Sequence, residues 1–133
     1  MRAIALVAML VSAAPAAAQN TLFFRSPTGN IHCMILSSSD LEARCDLREA
    51  IPSYAPRADC EQDYGYAFAV GSVGPGRPLC AGDSVVMTGS PVLAYGRSVS
   101  QGGFTCRSER TGMTCVNRQG HGFSVARAQQ RVF

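Results

Sequence analysis

The chain has 133 residues, 47% of them hydrophobic, and 12 basic side chains, all arginine, against nine acids, for a formal net charge of +3. That balance is too mild to mark a nucleic-acid binder or a protein held to an acidic membrane by charge. Six cysteines in so short a chain point instead to a disulfide framework made in an oxidising compartment.

The N-terminus, MRAIALVAMLVSAAPAAAQN, has the three parts of a secretory signal. Arg2 supplies the positive charge, an apolar run of about a dozen residues follows, and Pro15 with the alanines behind it forms a small-residue cleavage site. The run is too short to span a bilayer comfortably. Residues 1–18 are therefore expected to be a signal peptide, with cleavage between Ala18 and Gln19 and no membrane span afterwards. Residues 19–133 then make a single disulfide-rich β domain of 115 residues, placed in the periplasm or outside the cell.

Helical periodicity is weak along the rest of the chain, and short β-like runs alternate with clusters of glycine, serine, proline and aspartate. The predicted strands are Thr21–Arg25, Asn30–Leu36, Leu41–Leu47, Tyr64–Val70, Ser84–Thr88, Val92–Tyr95, Phe104–Arg107, Met113–Asn117 and Gly122–Ala126. Pro52 to Asp63 reads as a long loop with one helical turn near the third cysteine, and Ala128 to Val132 as a terminal helical turn. Tyr64, Tyr66 and Phe68 repeat at period two and are expected on one buried strand face. This pattern predicts an all-β fold of antiparallel hairpins, a small sandwich or barrel-like form stapled by disulfides, with little helix.

Register arithmetic assigns the bridges. If Cys33 faces Cys45, then Ile31, Cys33, Ile35, Ala43, Cys45 and Leu47 share one wholly apolar face. The other face pairs His32 with Asp46, Met34 with Arg44 and Leu36 with Glu42. If Cys106 faces Cys115, Ser108 faces Met113 and leaves the loop Glu109-Arg110-Thr111-Gly112, in which Gly112 can take positive φ. Cys60 and Cys80 pair by elimination.

Catalytic and metal chemistry finds little purchase. Cysteine gaps of 12, 15, 20, 26 and 9 contain neither a zinc knuckle nor a C-x-x-C redox motif, so no cofactor or metal is expected. His121, between Gly120 and Gly122, could orient a general base or could mark a tight strand entry. His32 opposite Asp46 would be half of a triad, but no nucleophile accompanies it. Asp83, in a turn after Cys80, lacks the neighbouring carboxylates of a calcium loop. Charge is uneven: residues 40–63 carry a net −4 and residues 97–133 a net +5. That split fits two halves that face each other, or a basic face that meets an acidic partner.

The ordered set SPTGNIHC, LAYG before GGFTC, GMTC and GHGF resembles an uncharacterised family of small secreted bacterial proteins with six cysteines, a domain of unknown function. The resemblance covers Phe23 to about Arg127. It implies secretion and the six-cysteine frame, and it transfers no activity or catalytic residue. It also leads one to expect a tryptophan near the third cysteine; this chain has none, and Tyr54 is the candidate substitute. The combined reading is a non-catalytic binding or envelope-associated module whose partner is an envelope protein or glycan. The alternative is a small hydrolase using His121 with Asp83 or His32.

Overall fold

The computed structural model describes residues 10–12, 20–37 and 41–133. Most of the expected signal peptide, and residues 38–40, which the sequence reads as a turn, lie outside them. The described residues form two five-stranded antiparallel sheets and no helix. The first sheet runs in chain order: β1 (Thr21–Arg25), β2 (Ile31–Leu36), β3 (Glu42–Leu47), β4 (Asp63–Gly71) and β5 (Arg77–Ala81). The second is also a meander: β6 (Ser98–Gln101), β7 (Phe104–Glu109), β8 (Gly112–Val116), β9 (Gly122–Val125) and β10 (Gln130–Val132).

Alternation along the strands builds the core. In the β2–β3 pair Cys33 faces Cys45 and Ile31 faces Leu47, as the arithmetic requires, and all six residues of that face are buried. In β7 the inward set is Phe104, Cys106 and Ser108, met by Met113 and Cys115 of β8 and by Phe123 and Val125 of β9. These two faces form one cluster, so the sheets pack as a sandwich. Phe68 and Phe123 meet across it at 6.4 Å between ring centroids. Burying one side chain of this size stabilises by roughly 1.5–3 kcal/mol.

Several expectations are corrected. Ser84–Thr88 is not a strand, and Val92–Tyr95 contributes a single parallel bridge, Arg25 to Val92. The segment from Gly82 to Met87 is a strap across the outer face of the first sheet, where its backbone bonds side chains instead of another strand: Val85 N donates to Asp46 Oδ2 at 3.1 Å. The expected helical turn at Ala128–Val132 is the edge strand β10, drawn in by pairing with β9. Strand β6 was not foreseen, since SVSQ is mostly polar; it is an edge strand on which Val99 packs against the core. Strand β5 begins at Arg77, within the glycine- and proline-rich GSVGPGRP stretch that reads as a turn.

The aromatic repeat is also broken. Between Tyr64 and Phe68 the β4–β5 register shifts, with Gly65 at φ 95° in the irregular stretch. Phe68 is buried, whereas Tyr66 is exposed and Tyr64 intermediate. The bulge re-aims the side chains that strict alternation would have put together.

The β7–β8 hairpin keeps its predicted register but is tighter than expected. Glu109 still faces Gly112, leaving Arg110 and Thr111 as the turn, and Gly112 takes φ 132°. The loop from Pro52 is present and gives way to β4 at Asp63; in place of a helical turn near the third cysteine it has a hydrogen-bonded turn closed by Cys60 N to Arg57 O at 3.1 Å. Tyr54, at its start, packs against Phe68 with centroids 5.8 Å apart and accepts a hydrogen bond from Val132 N.

Candidate functional site

All six cysteines are bonded, as Cys33–Cys45, Cys60–Cys80 and Cys106–Cys115. The first and last join directly opposed residues whose Cα atoms are 4.1 Å apart, the close spacing of a non-hydrogen-bonded antiparallel pair. One lies in each sheet, and they touch across the core, with Cys45 Sγ 3.7 Å from Cys115 Sγ. Cys33, Cys45 and Cys115 therefore cluster within 4.8 Å as buried sulfurs already spent on bridges.

His121 is exposed, in the turn between β8 and β9. Its backbone is held by Asn117: the amide donates to Asn117 Oδ1 at 3.1 Å, and its carbonyl accepts from Asn117 N at 2.8 Å. The flanking glycines answer to crowding and turn geometry. A Cβ on Gly122 would lie 1.8 Å from the Cys115 carbonyl oxygen, and Gly120 takes φ 79°. Gly122 also exchanges both backbone hydrogen bonds with Phe133. GHGF thus marks a tight strand entry that clamps the last residue of the chain.

His32 is buried on the outer face of the first sheet, beneath the strap. It stands opposite Asp46 in register, yet its ring bonds elsewhere. Nδ1 accepts from Met87 N at 3.4 Å, so Nε2 carries the proton donated to the Gly29 carbonyl at 2.9 Å. Asp46 is engaged by Arg44, which donates from Nε at 2.8 Å and from Nη2 at 3.0 Å. Arg44 reaches on to Asp83 Oδ1 at 3.2 Å. Burial favours the uncharged form of Arg44, but the hydrogen bond and charge of Asp46, with the charge of Asp83, outweigh it and hold the guanidinium above its ordinary pKa. Asp83 itself is exposed, beside a cleft of about 370 Å³ on the same face.

No hydrogen bond joins His32, Asp83 and His121 to one another among the described residues. The first two belong to the outer face of one sheet, and the third to a turn of the other.

What the loops do bring together is a different group. A groove of about 730 Å³ lies at one end of the sandwich. The first sheet supplies the β1–β2 turn and Arg48 and Glu49 from the end of β3; the second supplies Arg110 and Arg127; Tyr95 enters between them. Asn30 fixes the first wall. Its side chain donates to Glu49 O at 3.0 Å and accepts from Glu49 N at 2.8 Å, while its carbonyl accepts from Arg48 N at 2.9 Å. Arg110 sits 4.9 Å from the centroid of the Tyr95 ring.

Strand β8 starts in this groove at Gly112 and ends beside the His121 turn, so the two regions are separated by its length, about 15 Å at the rise of a strand. The SPTGNI and YG stretches contribute Ser26, Thr28, Asn30 and Tyr95 to the lining, and GHGF contributes nothing. Sequence reading did not single out Arg48, Tyr95, Arg110 or Arg127. The only signal was the local excess of arginine after residue 97, and nothing in one dimension says which arginines meet a loop of the other sheet. The acidic and basic stretches meet at Arg127 and Glu49, 3.7 Å apart; three other ion pairs are local, two residues apart in sequence.

Fold and site together define a small disulfide-bonded β-sandwich with a charged groove at one end. The chain belongs to a family of unknown function, DUF6636, which it matches over residues 4–133. No curated protein and no solved structure matches it.

Proposed function

We propose that the chain is an exported, non-catalytic binding module of the cell envelope that engages an envelope protein or glycan through the groove between the β1–β2 and β7–β8 turns. The observation that carries this reading is the convergence there of side chains from both sheets on a wall held rigid by Asn30. Export is supported by the three disulfides and by the charged, apolar and small-residue sequence at the N-terminus. The hydrolase reading needs an acid, a base or a nucleophile in mutual reach, and His32 instead spends both ring nitrogens on backbone groups.

The test is capture from envelope extract by the oxidised protein, compared with an R48A/R110A variant. One protein or glycan retained by the native chain and lost by the variant is the expected result. Capture unaffected by the variant would move the site away from the groove. A hydrolytic activity abolished by His121→Ala would replace the reading altogether.

A further inference from the structure

The chemistry of the groove narrows what it binds. We propose that it is a site for a carboxylate-bearing oligosaccharide, gripped by Arg48 and Arg110, with the Tyr95 ring as its stacking surface. This deepens the binding reading above and rests on it.

Charge selects the ligand class. The lining holds three arginines and two glutamates. Glu109 is taken by Arg107 outside the groove, whose Nε lies 2.8 Å away, and Glu49 faces Arg127 at 3.7 Å. Among the described residues neither Arg48 nor Arg110 makes an ion pair. Both are exposed, one in a loop of each sheet, so two guanidinium groups without a carboxylate partner flank the same space. A guanidinium presents parallel N–H donors that match the two oxygens of a carboxylate.

Tyr95 selects a sugar ring. It is half-buried, and Arg110 rests against it through a cation–π contact. That exposed contact is weaker than a charge-assisted hydrogen bond, so an arriving carboxylate draws Arg110 off the ring. The uncovered face, negative in its quadrupole, then meets the polarised C–H bonds of a pyranose. The exposed hydroxyl of Thr28, held by the buried Ser26 hydroxyl at 3.1 Å, stands at the same wall for the sugar oxygens. The volume is within the range of small-ligand sites, and the groove is open, so a chain can run through it. An acidic peptide would find few apolar recesses for its other side chains, since Ile31 and Ala126 are the main aliphatic members of the lining.

The oxidised full chain is titrated with tri-galacturonate, its methyl ester and hexaglutamate, followed by calorimetry and by amide chemical shifts. Tri-galacturonate is expected to bind and to shift the amides of Arg48, Tyr95 and Arg110. The methyl ester, with the same rings and no charge, should bind at least tenfold more weakly. R48A and R110A should each weaken tri-galacturonate at least tenfold, and added salt should weaken it further. R110K, which keeps the charge and loses the fork, should fall between. Both side chains are exposed, and an unchanged melting temperature checks the fold. Equal binding of the ester, or indifference to both arginine variants, overturns the carboxylate grip; shifts at the same amides would then leave the groove reading standing. Hexaglutamate bound as tightly as tri-galacturonate overturns the sugar assignment. Absence of tri-galacturonate binding overturns the proposal, even where the extract capture still depends on Arg48 and Arg110.

Discussion

Removal of the Cys106–Cys115 bridge, by C106A/C115A, is the sharpest test of how the sandwich is held, because loop length and burial make opposite predictions. In the chain-entropy account a closed loop restricts the unfolded chain. A separation of 9 contributes about 2.6 kcal/mol, and the separation of 20 at Cys60–Cys80 contributes about 3.3 kcal/mol. Loop length alone therefore makes C60A/C80A the more damaging pair. Burial reverses the order. Cys106 and Cys115 are fully buried between the sheets, and Cys115 Sγ packs against Cys45 Sγ at 3.7 Å. Two alanines there leave two sulfur-sized voids, at about 1 kcal/mol each. Cys60 and Cys80 lie in intermediate and exposed positions, where truncation opens no void. The inner variant should thus lose between about 4 and 5 kcal/mol and the outer about 3.3 kcal/mol, a difference of several degrees in melting temperature for a domain of this size. Thermal unfolding followed by far-ultraviolet circular dichroism reads both. Graded reduction with alkylation should label Cys60 and Cys80 before Cys106 and Cys115. A melting temperature for C60A/C80A at or below that of C106A/C115A would refute the reasoning, as would early labelling of Cys106.

Three further outcomes follow from single contacts. D46A strands the Arg44 guanidinium, leaving it only exposed Asp83, and also orphans Val85 N; it should cost about 3–5 kcal/mol in chemical denaturation, while R44M/D46L should cost less than D46A alone. Gly122→Ala drives a Cβ into the Cys115 carbonyl and should lower stability by more than about 2 kcal/mol, whereas Gly120→Ala meets open space and costs only the left-handed conformation, about 1–2 kcal/mol. The Asp59 carboxyl accepts a hydrogen bond from exposed Arg57 and is held below its ordinary pKa. Its contribution is present above the unfolded pKa and is lost as pH falls through the lower folded value. Carboxyl chemical shifts should show a midpoint below 3.8 that rises in R57A.

Legibility followed the range of the interactions. The two hairpins closed by cysteines were readable because strand alternation is strict: once Cys33 faces Cys45, every neighbour from Ile31 to Leu47 is fixed, and the structure keeps that register without a slip. The same holds from Cys106 to Cys115. Edge strands β6 and β10 were not readable, because their pairing comes from β7 and β9 and not from their own polar sequences. Ser84–Thr88 misled for a related reason. Its valines suit a strand, but the groups awaiting its backbone are the side chains of Asp46 and His32. The bulge at Tyr64–Phe68 had a local sign in Gly65, and its consequence for Tyr66 depends on the partner strand. The groove was hidden most completely, since it joins the loop before β2 to the turn after β7, about eighty residues apart.

The position of the two inner bridges bears on why the groove can be so polar. A sandwich this small has little interior, and its inner faces include alanine and four cysteines as well as phenylalanines. The bonded sulfurs fill the centre, join β2 to β3 and β7 to β8 by covalent links, and meet one another where the sheets touch. With the sandwich secured at its middle, the turns at the ends contribute little to its closure. Thr28, Arg48, Tyr95 and Arg110 are then free of any packing demand, and their hydroxyl, aromatic and guanidinium groups stay exposed or half-exposed at the rim instead of being replaced by aliphatic residues. On this argument substitutions at Arg48 or Arg110 change what the groove holds and leave the melting temperature within about 2 °C, as for surface side chains that take no part in the core. A large loss of stability on either substitution would mean that the arginines act as struts and that the groove is a by-product of how the sheets close.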